Sequence, residues 1–383
     1  MKIVIDAAIP WGEYYFASLG EVVALPGREI DAAAVRDADI LVVRTVTRIN
    51  RGLLEGSRVR FVASATSGTD HVDQDYLAAA GVGFAAAPGC NARSVAEYVL
   101  SCLCVLARED GFALRGLRAG IIGCGHVGAM VVDLLEACGI TCLVNDPPRA
   151  RQYPRERAWQ TLDALRGADI ISLHVPLVRD GEHPTRDLVD AVFLHSLDPG
   201  VILINTSRGE VVDEAALAAF LEARPRAAAV LDVWRGEPDI NTALLSRVRL
   251  GTSHIAGYST DAKLRGTCMV HAAVRAFLGA AGGEPAAPSL PDHGGGTLRL
   301  TGPEDDTDAV TAAVLGSYDV RRDSASLMRI LDLQEDRRGG FFEDLRNRYP
   351  LRREFPALRV NAEHCPDRLV RRLHALGFQM VKE

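Results

Sequence analysis

No stretch of this chain is long and apolar enough to span a bilayer, which argues against a helical membrane protein. Its first residues, MKIVIDAAIP, offer one lysine and then a strand-like KIVID. The extended apolar core and cleavage site of a secretory leader are missing, so a cytoplasmic protein is expected. A basic surplus is also absent: 43 Lys and Arg face 50 Asp and Glu, for a net charge of −7. The arginines of the C-terminal third alternate with acids, so neither a nucleic acid nor a membrane surface is an expected partner. None of the eight cysteines forms a CxxC pair, and no internal repeat is evident. The cysteines lie in apolar helix or strand contexts and read as reduced core residues, with no metal site expected. What remains is an ordinary globular composition, 48% hydrophobic and 24% charged, spread over 383 residues. That length suffices for two or three domains.

The most informative stretch runs from Gly120 to Asp146. An apolar pair, Ile121-Ile122, breaks into Gly123-Cys124-Gly125-His126-Val127-Gly128. A helical pattern from Met130 to Cys138 follows, then a second apolar run ending at Asp146. Strand, glycine turn, helix and strand in this order form a dinucleotide site. Gly123 makes the tight turn, Gly125 admits a pyrophosphate, Gly128 lets helix and strand pack closely, and the helix N-terminus supplies free N–H groups. His126 and Val127 sit inside this loop and belong to the same expected site. A carboxylate at Asp146 suits the adenosine ribose hydroxyls and repels the extra phosphate of NADP. Arg149 and Arg151 soften that repulsion, but NAD is the favoured cofactor.

Around this stretch the chain alternates short β-like runs with helical ones. KIVIDA, EVVALP, ADILVVRT, FVASAT and VGFAAA come before it, and ADIISLHVP, VILINTSRGE, AAAVLDVW and VRLGTSH after it. Such alternation predicts an α/β protein with two Rossmann-like or flavodoxin-like doubly wound parallel-sheet domains and a cleft between them. Asn91 to Arg108 reads as one long helix, apolar nearly all round and buried on both sides. A helix from Tyr258 to about Ala281 packs back on the first domain and makes it discontinuous. The expected division is 1–93 with 256–285 as a substrate-binding lid, 94–255 as the NAD-binding domain, and 286–296 as a Pro- and Gly-rich linker. Residues 297–383 are expected to form a small α+β domain, in which nothing looks catalytic.

In such sheets ligands bind beyond the carboxyl ends of the strands. Arg208 follows VILIN, Asp232 ends AAAVLD with Glu237 just after it, and His254 ends VRLGTSH. Oxidation of a hydroxy acid needs a base for the hydroxyl proton, and His254, of a residue type that titrates near neutrality, suits that task. Glu237 is placed to hold its ring, and Arg208 to grip a carboxylate and polarise the reacting oxygen. In the first domain Arg44-Thr45-Val46-Thr47-Arg48 sets cations and hydroxyls at a strand end. That pattern suits phosphate oxygens, with a polar surface loop as the alternative.

GCGHVG, HVPL, INTSRGEVVDEAAL, LDVWRGEP and GTSHIAG, in this order, resemble the D-isomer-specific 2-hydroxy acid dehydrogenases over roughly 93–258. The resemblance implies catalytic roles for Arg208, Glu237 and His254, and NAD contacts at Asp146, Thr206, Asp232 and Gly257. LVVRTVTRIN, FVASATSGTDHVD, AAPGCNARSVAEYV, HIAGYSTDAKLRGT and SYDVRRD extend the likeness toward members acting on a phosphorylated hydroxy acid. This implies 4-phospho-D-erythronate as substrate, contacts to it from Thr45, Thr66 and Tyr258, and a homodimer joined by the last domain. Thr45 stands where the family pattern has serine, and Cys124 and His126 vary within the glycine loop. Two rival readings remain open. One is the same chemistry on another acid such as 3-phosphoglycerate; the other is an NAD-sensing protein that recruits a partner.

Overall fold

The computed structural model describes residues 1–280, 285–286, 288–290, 296–300, 306–363 and 365–382. Of the expected linker, 286–296, residues 287 and 291–295 fall outside them. The chain divides into two compact units, Met1–Asn91 with Ser259–Pro291, and Ala92–Tyr258 with Asp292–Glu383.

The first unit is built on β1 (Lys2–Asp6), β2 (Glu21–Leu25), β3 (Ile40–Val43), β4 (Phe61–Ser64) and β5 (Gly83–Ala86). They form one parallel sheet in the order β2-β1-β3-β4-β5. Every residue of β3 (ILVV) and β4 (FVAS) is buried. Continuous apolar runs of this kind belong to parallel strands covered on both faces. One cover is the helix Thr260–Leu278, whose Val270 and Val274 share a core with Ile3, Ile5 and Ile40. That helix is shorter than the expected 258–281. Ser259 caps it by accepting the Ala262 N–H at 2.9 Å, and Gly279, at φ 60°, turns the chain left-handed at its end.

The second unit holds β6 (Arg118–Ile122), β7 (Thr141–Asn145), β8 (Ile170–Leu173), β9 (Ile202–Asn205), β10 (Ala228–Leu231) and β11 (Leu250–Gly251). They run parallel in the order β11-β10-β9-β8-β6-β7. Sequence order reverses between β6 and β8, so the carboxyl ends of these strands flank a topological switch point. Residues 298–381 add β12 (Leu298–Arg299), β13 (Arg359–Asn361) and β14 (Gln379–Val381), a small sheet that is also parallel, with helices between its strands.

The helix Ala92–Asp110 lies inside this second unit. It is covered on one side by the helix His126–Ala137 and on another by the helix Asp306–Ser317. Its residues Val95 to Ala107 share one core with Val131 and Leu135, and with Val310, Val314, Phe355 and Phe378 from the C-terminal stretch. Burial all round explains why its apolar residues keep to no single face. All eight cysteines are free thiols, five of them buried. No helix among the described residues is long and apolar enough to cross a membrane.

Candidate functional site

The glycine turn leaves β6 with Gly123 at φ 88°, a conformation that disfavours a side chain. A Cβ there would lie 2.6 Å from the His174 carbonyl oxygen, and one on Gly128 would lie 2.0 Å from that of Gly123. Both positions are therefore closed to larger residues by backbone. Gly125, which caps the helix His126–Ala137, differs: a Cβ there would meet nothing within 4 Å. Open space over the N-terminus of a twelve-residue helix is what a pyrophosphate requires, so the turn fits a dinucleotide. His126 and Val127 are the first two residues of that helix.

Asp146 follows β7. One of its carboxylate oxygens accepts the Cys124 N–H at 2.8 Å and the other the Arg149 N–H at 3.0 Å, tying the second strand to the glycine turn. Arg149 is bonded to Glu156, and Arg151 pairs with Glu182. Neither guanidinium is left to offset the repulsion Asp146 would exert on a 2′-phosphate, which favours NAD over NADP.

β9, β10 and β11 are adjacent and parallel, so their carboxyl ends open on one edge. Arg208 lies three residues past β9, Asp232 directly past β10, and His254 three residues past β11. The strand expected through VRLGTSH stops at Gly251 because the residues after it bend to reach Asp232. The Asp232 carboxylate, 1% exposed, accepts the Thr252 hydroxyl at 2.6 Å and the N–H groups of Ile255 at 2.8 Å and Ala256 at 3.0 Å. The backbone carbonyl of Asp232 accepts the His254 N–H at 2.7 Å. His254 itself sits at φ 58°, strained for a residue with a Cβ and held by those bonds.

The His254 Nδ1 lies 2.7 Å from Oε2 of Glu237, whose Oε1 accepts the Trp234 N–H at 2.9 Å. Burial pushes the Glu237 carboxyl up, but the His254 ring, the Trp234 amide and Arg346 outweigh it and hold the group below the usual carboxylate range. With Glu237 ionised, Nδ1 carries the proton, and Nε2 is the basic nitrogen, without a partner among the described residues. One third of the His254 side chain is exposed, enough to meet a substrate. Arg208 directs Nη1 to the Ser207 carbonyl at 2.8 Å.

Thr206 lies at the same edge, its hydroxyl 3.2 Å from the Nδ1 of His174, whose Nε2 is 2.9 Å from Ser172. Burial drives the His174 ring down to about 3, so it is neutral. Sequence reasoning passed over His174, although its place at the end of ADIISLHVP follows the strand-end pattern used for Arg208 and His254.

Tyr258 closes the loop that carries His254 and Gly257. Two arginines from the C-terminal stretch, where nothing looked catalytic in sequence, reach this loop. Arg352 donates to the Ala256 carbonyl at 3.0 Å and to the Ser94 carbonyl at 2.6 Å, and Arg346 donates to the Tyr258 hydroxyl at 3.3 Å. No local motif marks them.

The remaining predicted contacts belong to the first unit. Arg44 and Thr45 follow β3, and Thr66 follows the neighbouring β4, so all three occupy the carboxyl edge of the five-stranded sheet. Thr45 is exposed, whereas the Thr66 hydroxyl is 2.9 Å from that of Ser64. Arg44 is paired through Nε with the fully buried Asp6 at 2.9 Å.

The family described as D-isomer specific 2-hydroxyacid dehydrogenase, NAD binding domain, matches residues 105–256, and a domain of unknown function matches 290–377. The chain is 47% identical to an erythronate-4-phosphate dehydrogenase of Chromohalobacter salexigens, over 99% of each chain. It is 48% identical to one of Cronobacter sakazakii, over 99% of this chain and 98% of the other. Among solved structures, NAD-bound 3-phosphoglycerate dehydrogenase of Entamoeba histolytica has a TM-score of 0.63 at 23% identity, covering 73% of this chain and 95% of that one. At that identity the likeness speaks for the fold.

Proposed function

Because the chain belongs to the erythronate-4-phosphate dehydrogenase family of D-isomer-specific 2-hydroxy acid dehydrogenases, we propose that it oxidises 4-phospho-D-erythronate at C2 with NAD. The product is (R)-3-hydroxy-2-oxo-4-phosphooxybutanoate, and the reaction serves pyridoxal phosphate (vitamin B6) biosynthesis. The observation that carries this reading is the His254–Glu237 pair at 2.7 Å, on the same sheet edge as the glycine turn.

Bound NAD supplies the hydride acceptor, and the chain supplies the rest. Nε2 of His254 takes the C2 hydroxyl proton, while ionised Glu237 holds Nδ1–H and stabilises the imidazolium. Arg208 grips the substrate carboxylate and polarises the reacting oxygen. Gly123, Gly125, His126, Val127 and Gly128 receive the pyrophosphate, Asp146 the ribose, and Thr206, Asp232 and Gly257 the nicotinamide half. Since the Asp232 oxygens already accept three donors of the 252–256 segment, its part is mainly to hold that segment in place. Thr45, Thr66, Tyr258 and Arg44 face the substrate. The same reading includes a cytoplasmic homodimer joined through residues 297–383.

The test is NADH formation, followed by absorbance, with 4-phospho-D-erythronate beside 3-phosphoglycerate. Preference for the first is expected. Preference for the second would move the assignment to the other phosphorylated acid, and no turnover of any hydroxy acid would favour an NAD-sensing protein.

A further inference from the structure

A substrate with a carboxylate at one end and a phosphate at the other needs two cationic contacts, and Arg208 is assigned to the carboxylate. Most other guanidinium groups near the His254 loop are already engaged. Arg352 is 5% exposed and directs Nη1 to the Ala256 carbonyl and Nη2 to the Ser94 carbonyl, with its guanidinium 3.7 Å from the centre of the Tyr318 ring. Arg235 is paired with Asp187 and also donates to the Val212 carbonyl. Arg338 donates to the Leu333 carbonyl and the Thr242 hydroxyl. On the five-stranded unit, Arg44 is neutralised by Asp6.

Arg346 is different. It leaves the last turn of the helix Glu335–Asn347 with its guanidinium 5.9 Å from the centre of the Tyr258 ring. Its hydrogen bond goes to a neutral phenol at 3.3 Å and it makes no ion pair among the described residues; its buried Nε has no partner, as is also true of Arg235 and Arg352. Two carboxylates feel its charge, and both are committed elsewhere: Glu237 to His254 and the Trp234 amide, and Asp232 to Thr252, Ile255 and Ala256. A half-buried guanidinium remains charged at any pH at which the protein is folded. Without a carboxylate of its own, and with donors to spare, it is prepared for an anion that arrives with the substrate.

We propose that Arg346, together with the Tyr258 hydroxyl, binds the phosphate of the substrate and so makes the site specific for phosphorylated hydroxy acids. The inference rests on the functional reading above, and it gives the C-terminal stretch, whose family model is a domain of unknown function, a direct part in substrate selection. Tyr258 orients the guanidinium and adds a neutral donor, and the planar fork of Arg346 engages two phosphate oxygens.

The experiment uses the full chain and NAD. KM and kcat are measured for 4-phospho-D-erythronate, and D-erythronate is titrated as a competitive inhibitor, in wild type, Arg346→Gln, Arg346→Lys and Arg44→Gln. Loss of a charge-assisted contact corresponds to a KM increase on the order of 10- to 100-fold. That increase is expected in Arg346→Gln for the phosphorylated substrate, with partial recovery in Arg346→Lys and an inhibition constant for D-erythronate within about 3-fold of wild type. Equal weakening for both ligands would make Arg346 a packing residue. An unchanged KM in Arg346→Gln with a raised KM in Arg44→Gln would place the phosphate on the five-stranded unit. Either result overturns the proposal. Wild type that fails on 4-phospho-D-erythronate but oxidises 3-phosphoglycerate would instead defeat the substrate assignment, and the comparison would then be repeated with 3-phosphoglycerate and glycerate.

Discussion

His254 combines a left-handed backbone, a carboxylate on Nδ1 and a basic Nε2. Replacing it with Ala removes the proton acceptor and leaves the glycine turn intact. Turnover should fall by about 10²- to 10⁴-fold while NADH, titrated by fluorescence, binds as in wild type; retained turnover would remove His254 from the mechanism. His174 is a second histidine on the same edge with the opposite task. Its ring is held neutral by burial, with a value near 3 against 6.5 for an unburied ring. The unfolded chain therefore gains a proton at His174 as pH falls below about 6.5, before the folded one does. Stability is lost across that window and levels off near 3. Replacing His174 with Gln, which cannot gain that proton, should flatten the acid limb of Tm between pH 6.5 and 4. An unchanged acid limb would assign it to other groups.

The strand, turn and helix around Gly123 to Gly128 show how one element divides its residues between folding and binding. Gly128→Ala forces a Cβ to within 2.0 Å of a carbonyl oxygen, so strand and helix must separate. A cost of roughly 1–3 kcal/mol and weaker NADH binding are expected together. Gly125→Ala meets open space, so its melting temperature should stay close to that of wild type while NADH binding weakens, because the added methyl occupies room needed by the pyrophosphate. If both variants melt alike, the distinction between the two glycines fails. This element was legible in sequence because a positive φ, a close approach and a helix start are local demands. β11 was not. Its expected seven residues shrink to two because Thr252, His254, Ile255 and Ala256 bond to Asp232, about twenty positions earlier in the chain. Nothing in their local sequence marks that partner.

At the scale of the whole chain, the C-terminal stretch shares the core of the dinucleotide-binding sheet, and Glu97 lies where they join. Its carboxyl accepts the Phe355 N–H at 2.8 Å. Burial raises it to about 8 against the opposing pull of Arg93, which stands 2.8 Å away without the alignment of a hydrogen bond. Folded Glu97 thus keeps a proton that the unfolded chain releases from about pH 4.5, so stability declines as pH rises from 4.5 to 8 and is level beyond. In Glu97→Gln this decline should be smaller, read as the Tm difference between pH 5 and pH 8; an equal difference would show that Glu97 is ionised in the fold. The sequence by itself determined the parallel α/β architecture, the glycine turn and the strands β9 and β10 that precede Arg208 and Glu237. Each of these depends on short-range periodicity and on which residues tolerate a given backbone. Only the tertiary structure decided that Arg44 is neutralised by Asp6, that Asp232 shapes the His254 loop, and that Arg346 and Arg352 reach that loop from about ninety residues further along the chain. Such pairings arise when distant segments pack into a common interior, and the residues adjacent to an arginine in sequence do not constrain which loop it will meet.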